Sequence, residues 1–125
     1  MAKRIQTQPR WLEEVKETNF SAAESYLSLI YPSRHAAKVI AALRAAGYSQ
    51  FKAKDIFRAS QLSLLGVSNS HVEKDRKKIR EGIGLSPILL VRDTKNGKVV
   101  IADGYHRLCA VYGLNEDALI PCKII

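Results

Sequence analysis

The sequence predicts an α+β fold: helices first, then a small sheet, with the chemistry gathered where one strand hands over to a helix. Apolar residues recur at helical spacing from about residue 10 to Gly47. After Gly84, two short apolar runs, Ile88-Leu89-Leu90-Val91 and Val99-Val100-Ile101, flank an Asn-Gly pair, and the second run meets Asp103-Gly104 just before a new helical pattern. A chain of 125 residues fits one domain with a real core. We divide it into a helical lobe over 1–47 and an α+β core over 48–125.

The first ten residues are polar and basic, with Lys3, Arg4 and Arg10, and are expected to fray. Pro9 allows a helix to begin, and Trp11, Leu12 and Val15 recur at helical spacing opposite Glu13, Glu14 and Lys16. Ser21 with Glu24 has the capping-box spacing, followed by an apolar face of Ala22, Ala23, Tyr26, Leu27 and Ile30. Pro32 stops that helix. Ser33 caps the next, which buries Ala36, Ala37, Val39, Ile40, Ala41 and Leu43 and ends at Gly47. Its polar side carries Arg34, His35, Lys38 and Arg44, which reads as a solvated face or as a track for a nucleic-acid backbone.

From Tyr48 the pattern shortens. Residues 54–59 read as a short helix or turn, and Gly66 followed by Ser68-Asn69-Ser70 as a loop. Ser70 caps a basic helix with a thin apolar stripe of Val72, Ile79 and Ile83. This helix holds the densest positive patch, Lys74, Arg76, Lys77, Lys78 and Arg80, diluted by Glu73, Asp75 and Glu81. It is the nucleic-acid-binding candidate, or else a self-paired solvent face.

Ser86-Pro87 opens the sheet, since proline can start a strand without losing a ladder bond. The runs 88–91 and 99–101 read as strands buried on both faces, joined through Asn96-Gly97 as an antiparallel hairpin. A helix follows from Tyr105 to Tyr112, stopped by Gly113 and Asn115, and 120–125 form the last strand.

The corner from Ile101 to Ala110 is suited to an anion. Free amides and the positive dipole end gather at a helix N-terminus, glycine admits close approach, and arginine can grip phosphate with two bonds. Arg107 grips, His106 donates, and the Gly104 and Tyr105 amides complete the cradle; Asp103 is the candidate general base. The same residues also read as structure alone, with Asp103 as N-cap and Gly104 as a tight turn. Arg107 argues for a ligand, because an arginine near a positive helix end calls for an anion or carboxylate.

Composition bounds the partners. Twenty basic against 12 acidic residues give a net charge of +8, which favours phosphate-bearing partners without choosing among nucleotide, nucleic acid and anionic membrane. Two cysteines, Cys109 and Cys122, cannot make a metal site alone and read as small core residues; no metal site is expected. The first six residues lack a signal-peptide apolar stretch, and no run approaches the roughly 18 apolar residues of a membrane span. A reducing cytoplasm and no membrane partner are expected.

The order Ser86 to Val91, hairpin, Ile101-Ala102-Asp103-Gly104-Tyr105-His106-Arg107-Leu108-Cys109-Ala110, then Ile120 to Ile124 resembles the ParB/sulfiredoxin superfamily, over roughly residues 52–125. That resemblance implies a small α+β domain binding nucleotide phosphates at a Gly-x-x-Arg turn. ParB proteins there read Gly-Glu-Arg-Arg and hold CTP, sulfiredoxin reads Gly-Cys-His-Arg and holds ATP, and an ADP-dependent serine kinase shares the superfamily. Gly104, His106 and Arg107 match the Gly-x-His-Arg form, so CTP, ATP or ADP with magnesium is the implied ligand. Tyr105 stands where sulfiredoxin has its catalytic cysteine and ParB its glutamate, which speaks against sulfinic-acid reduction and CTP hydrolysis. With no DNA-reading segment after the last strand, chromosome segregation is not expected, nor does a carboxylate cluster suggest nuclease activity. The readings left open are a nucleotide-dependent switch or phosphotransfer protein, a nucleic-acid-binding or adaptor module, and a partner protein whose site has lost its ligand.

Overall fold

A computed structural model describes residues 8–65 and 69–125; the readings of Lys3 and Arg4 and of the loop at 66–68 lie outside the described residues. The element order is α1 (Glu17–Ile30), α2 (Ser33–Ala45), β1 (Tyr48–Lys52), α3 (Ala53–Ser60), α4 (Ser70–Arg80), β2 (Ile88–Asp93), β3 (Lys98–Asp103), α5 (Tyr105–Leu114) and β4 (Leu119–Ile124). The fold is α+β. Its mixed sheet runs β1-β4-β2-β3, with β2 parallel to β4 and the other neighbours antiparallel.

The expected hairpin is present. Val91 faces Val100 across it, and the turn is closed by the Asp93 carboxylate, which accepts from the Asn96 side chain at 2.9 Å. Gly97 takes a φ of +64°, the left-handed conformation that such turns reserve for glycine or asparagine.

The unbroken apolar run of β2 is explained by helices on both sides of the sheet. Leu89 and Val91 join Phe20, Ala23 and Leu27 of α1 and Val39, Ile40 and Leu43 of α2. Ile88 and Leu90 point the other way, into a core with Ile56 and Phe57 of α3, Val72 and Ile79 of α4, and Leu108 and Val111 of α5. The N-terminal lobe is thus a roof over one face. Each fully buried Leu or Val of β2 contributes roughly 1.5–3 kcal/mol.

Several local expectations give way to tertiary bonds. Trp11 to Lys16 is not helical: Trp11 bridges to Leu85, the Leu12 N–H donates to the Leu85 carbonyl at 2.8 Å, and the Leu85 N–H returns to Arg10 at 2.7 Å. Trp11 nevertheless packs, partly buried, against the core. The Val15 and Lys16 amides are held by the hydroxyls of Tyr48 and Ser86, so α1 starts at Glu17, and Ser21, inside it, donates back to the Glu17 carbonyl instead of capping. Its buried face is Phe20, Ala23 and Leu27, leaving Ala22, Tyr26 and Ile30 exposed. Ser33 is the first residue of α2 and Pro32 its cap position; the helix ends at Ala45, before Gly47, with Ala37 and Ala41 exposed.

Later in the chain, β1 is a strand that the sequence reading did not separate. Asn69, not Ser70, caps α4 by accepting from the His71 and Val72 amides, and Ile83 is exposed. Gly113 lies inside α5, where the Arg76 guanidinium occupies the space a side chain would need. No helix among the described residues is long and apolar enough to cross a membrane.

The last turn of α2 is closed from a distance. Lys123 of β4 is buried, and its Nζ donates to the Arg44 and Ala46 carbonyls at 2.8 and 2.9 Å while lying 4.9 Å from the Tyr48 ring centroid. A cation is favoured there because helix C-termini leave unpaired carbonyls and a negative dipole end.

Lys123→Met keeps the stem but strips both bonds, and is expected to cost about 2–4 kcal/mol in urea unfolding; a loss below about 0.5 kcal/mol would show that the clamp adds nothing. Burial pushes the Cys122 thiol up to about 11. The folded chain therefore keeps a proton that the unfolded thiol releases near pH ~8.5. Stability from this group is full below that pH and falls as pH rises toward about 11, by at most about 1.4 kcal/mol per pH unit. Unfolding measured from pH 8 to 10.5 should show a shallower alkaline decline in Cys122→Ala, and an unchanged decline would rule the thiol out.

Candidate functional site

Gly104 sets the corner between β3 and α5. Its φ is +113°, and a Cβ there would run into the Ile88 side chain. Glycine is needed on both counts, and the result is a helix start pressed against the first residue of β2. Gly104 is also the N-cap of α5, and no side chain among the described residues caps that end. The Leu108 N–H, 2.9 Å from the Gly104 carbonyl, makes the first helical bond, so the Tyr105, His106 and Arg107 amides have no acceptor within the helix.

Asp103 does not cap. Its carboxylate accepts from Arg107 Nη2 at 2.9 Å, and the two side chains are only 17% and 15% exposed. Arg107 at a positive helix end is therefore compensated by a carboxylate within the chain. The pair leaves the guanidinium incompletely used, for Arg107 Nε is buried with no hydrogen-bond partner among the described residues.

Beside this corner lies α4. Its His71 ring sits 4.8 Å from that of His106, centroid to centroid, and its Arg76 reaches Gly113 further along α5. The two helices consequently begin at the same end. Between them opens a basin of about 200 Å3 lined by His71, Lys74, Asp75 and Lys78 of α4 and by residues 103–107. Burial pushes the Asp75 carboxyl up, against the pull of Lys78, Arg107, His106 and Lys74.

The structure brings Asp103, Gly104, Tyr105, His106 and Arg107 together with Lys74 and Lys78. The other cations of α4 go elsewhere. Arg76 packs on Gly113 with its Nε buried and without a partner among the described residues, Arg80 pairs with Glu73 at 3.1 Å, and Lys77 is exposed away from the basin. In the N-terminal lobe, Arg44 pairs with Glu17, leaving Arg34, His35 and Lys38 exposed.

Sequence reasoning missed His71 and Asp75. The signal was present: positions 71, 74, 75 and 78 fall on one face of a helix at i, i+3, i+4 and i+7, whereas counting charges along α4 blurs that face.

Tyr105 anchors the neighbouring segment. Its hydroxyl donates to the Ser63 carbonyl, and its ring meets Phe57 edge-on at 6.5 Å. Burial raises both the Tyr105 hydroxyl and the Cys109 thiol above their ordinary values, outweighing the Leu65 backbone bond and the Tyr105 contact that lower the latter. Cys109 is buried and stays a thiol at neutral pH, the weakly nucleophilic form. Among the described residues no group of three or more His, Cys, Asp or Glu is arranged to hold a metal ion.

No protein-family model, curated protein or solved structure matches this chain.

Gly104→Ala should destabilise the fold by about 2–5 kcal/mol, combining left-handed strain with a clash at Ile88. Chemical denaturation checks this, and a cost under about 0.5 kcal/mol would mean that the corner relaxes freely.

Proposed function

We propose that this protein is a phosphate-recognising domain of the ParB/sulfiredoxin type, which binds CTP, ATP or ADP with magnesium through Gly104, Tyr105, His106 and Arg107. One observation carries the reading: the uncapped start of α5 opens into a basin whose cations, Lys74, Lys78 and Arg107, outnumber its carboxylates, Asp75 and Asp103. Amides, a dipole and side-chain charge thus converge on one small polar space.

In this reading a phosphate takes the free amides of α5, the Arg107 donors left over from Asp103, and the two ammonium groups. His71 and His106 add donors at the mouth. The basin, about 200 Å3, is smaller than the roughly 300–1,000 Å3 of pockets that enclose whole ligands. It suits phosphate groups, with the nucleoside lying outside. Asp103 acts as a positioning residue that holds Arg107, and magnesium arrives on the phosphates. A reducing cytoplasm as the setting is part of the same proposal. A nucleic-acid role for α4 draws less support, because Arg76 and Arg80 are committed to contacts within the chain.

Thermal unfolding with CTP, ATP and ADP, each with and without magnesium, tests the proposal. At a hundred times its dissociation constant the right nucleotide adds about 2.7 kcal/mol and raises Tm by several degrees. Arg107→Ala and the surface pair Lys74→Ala/Lys78→Ala should abolish the rise, and Asp75→Asn should keep it. No rise with any nucleotide, or a full rise in both cation variants, overturns the reading.

A further inference from the structure

β3 is the last strand of the sheet, paired on one side only, with β2, among the described residues. Which of its backbone groups face outward follows from the far side of β2. There the Arg92 N–H donates to the Ile125 carbonyl at 2.8 Å, and the Leu90 carbonyl accepts from the Ile125 N–H at 3.3 Å. Residues 90 and 92 thus direct their main-chain groups at β4. Their cross-strand partners, Ile101 and Val99, turn theirs away from β2, because backbone groups alternate sides along an antiparallel strand. The N–H and C=O groups of Val99 and Ile101 therefore stand in a row along the edge, with no partner among the described residues.

A groove of about 380 Å3 follows this edge and has no residue in common with the basin. Val99 and Ile101 turn their side chains to the α3 side of the sheet, where Ser60 and Leu62 form the wall. Lys98 and Val100 face the α1 side, where Tyr26 and Ile30 form it. Tyr26, Ile30 and Leu62 are exposed apolar side chains. Sheet edges are usually blunted by a charge or a proline, and Val99-Val100-Ile101 carries neither. Helices α1 and α3 pack against opposite faces of β3, so whatever pairs with this edge must be bare on both of its own faces. The β3 of a second copy carries the same two helices and does not meet that condition; a lone extended segment does.

Charge selects further. Both Asp93 carboxylate oxygens accept from Asn96, at 3.3 Å from its backbone N–H and 2.9 Å from its side-chain nitrogen. Lys98, the one cation in the lining, makes no ion pair among the described residues.

We infer that the edge of β3 is a docking site for an extended segment of another protein, three apolar residues followed by an acidic one, which adds to the sheet as an antiparallel fifth strand. Antiparallel pairing is the more stable per residue. In that register the first and third apolar residues exchange main-chain bonds with Ile101 and Val99, the middle one lies opposite Val100 against Tyr26 and Ile30, and the acid lies opposite Lys98. Main-chain bonds then supply affinity and the alternating walls supply selection. The site is independent of the phosphate basin and does not rest on it.

The probe is the peptide Ser-Val-Ile-Val-Glu-Ser, acetylated and amidated, titrated into the unaltered protein and followed by amide chemical shifts and hydrogen exchange. Binding should saturate at one to one and protect the Val99 and Ile101 amides about tenfold or more, far beyond any change at Val100, whose N–H already points to β2. Methylating the nitrogen of either peptide valine should abolish binding, because both nitrogens point at β3; methylating the isoleucine nitrogen, which points away, should leave affinity within about threefold. Replacing the peptide Glu by Lys should weaken binding about threefold or more, as expected of charges placed directly across a ladder. Equal binding of the three methylated peptides, protection of other amides instead, a Lys peptide that binds as well as the Glu peptide, protection of Val99 and Ile101 by raised protein concentration alone, or no saturation at millimolar peptide each overturns the inference.

Discussion

The close approach of Gly104 to Ile88 governs how α5 meets the sheet. A left-handed φ at that one residue turns the chain from β3 into a helix whose first turn lies directly over the start of β2. Any side chain at 104 would lift the helix away, and with it His106 and Arg107. The salt bridge from Arg107 back to Asp103 spans the same turn, so the backbone and a side-chain pair fix the corner together. That is the condition for precise placement of free amides: the site rests on the junction of a strand and a helix, not on a long loop.

The second support is the sheet between its two helical layers. Because β2 buries side chains on both faces, neither the N-terminal pair of helices nor the group α3, α4 and α5 can be removed without exposing the opposite side of the same strand. Helix α4 gains its place from Val72 and Ile79, and this anchoring turns His71, Lys74, Asp75 and Lys78 toward α5. The polar basin follows from apolar packing. In turn, Arg76 on Gly113 sets how closely the two helices approach.

What could be read from the sequence was what local chemistry decides. Asn96-Gly97 specifies a hairpin turn by its own backbone preferences, Asp103-Gly104 marks the strand end, and Pro32 separates α1 from α2. What escaped depends on residues far along the chain. Trp11 to Val15 has helical spacing, yet its amides are claimed by Leu85 and the Tyr48 hydroxyl. Strand β1 carries Ser49 and Gln50 between aromatic ends and is a strand because it pairs with β4. Gly113 looks like a helix stop until Arg76 is placed beside it. At the candidate site, Gly104 to Arg107 stood out through adjacency in sequence, whereas His71 and Asp75 enter through the packing of α4 on α5.

The Lys123 clamp joins two regions that are 79 residues apart, and the strand that bears it is inserted between β1 and β2 although it comes after both in sequence. Until β4 takes that central place, β1 has no partner, the β2–β3 hairpin stands alone, and the final turn of α2 lacks its cation. Assembly of the sheet therefore waits on β4, which follows β1, β2 and β3 in the chain, and long-range closure of this kind slows folding relative to chains dominated by local contacts. The helices that precede the sheet and the strand that completes it are thus tied together through Lys123, and neither has its full set of partners until β4 is in place.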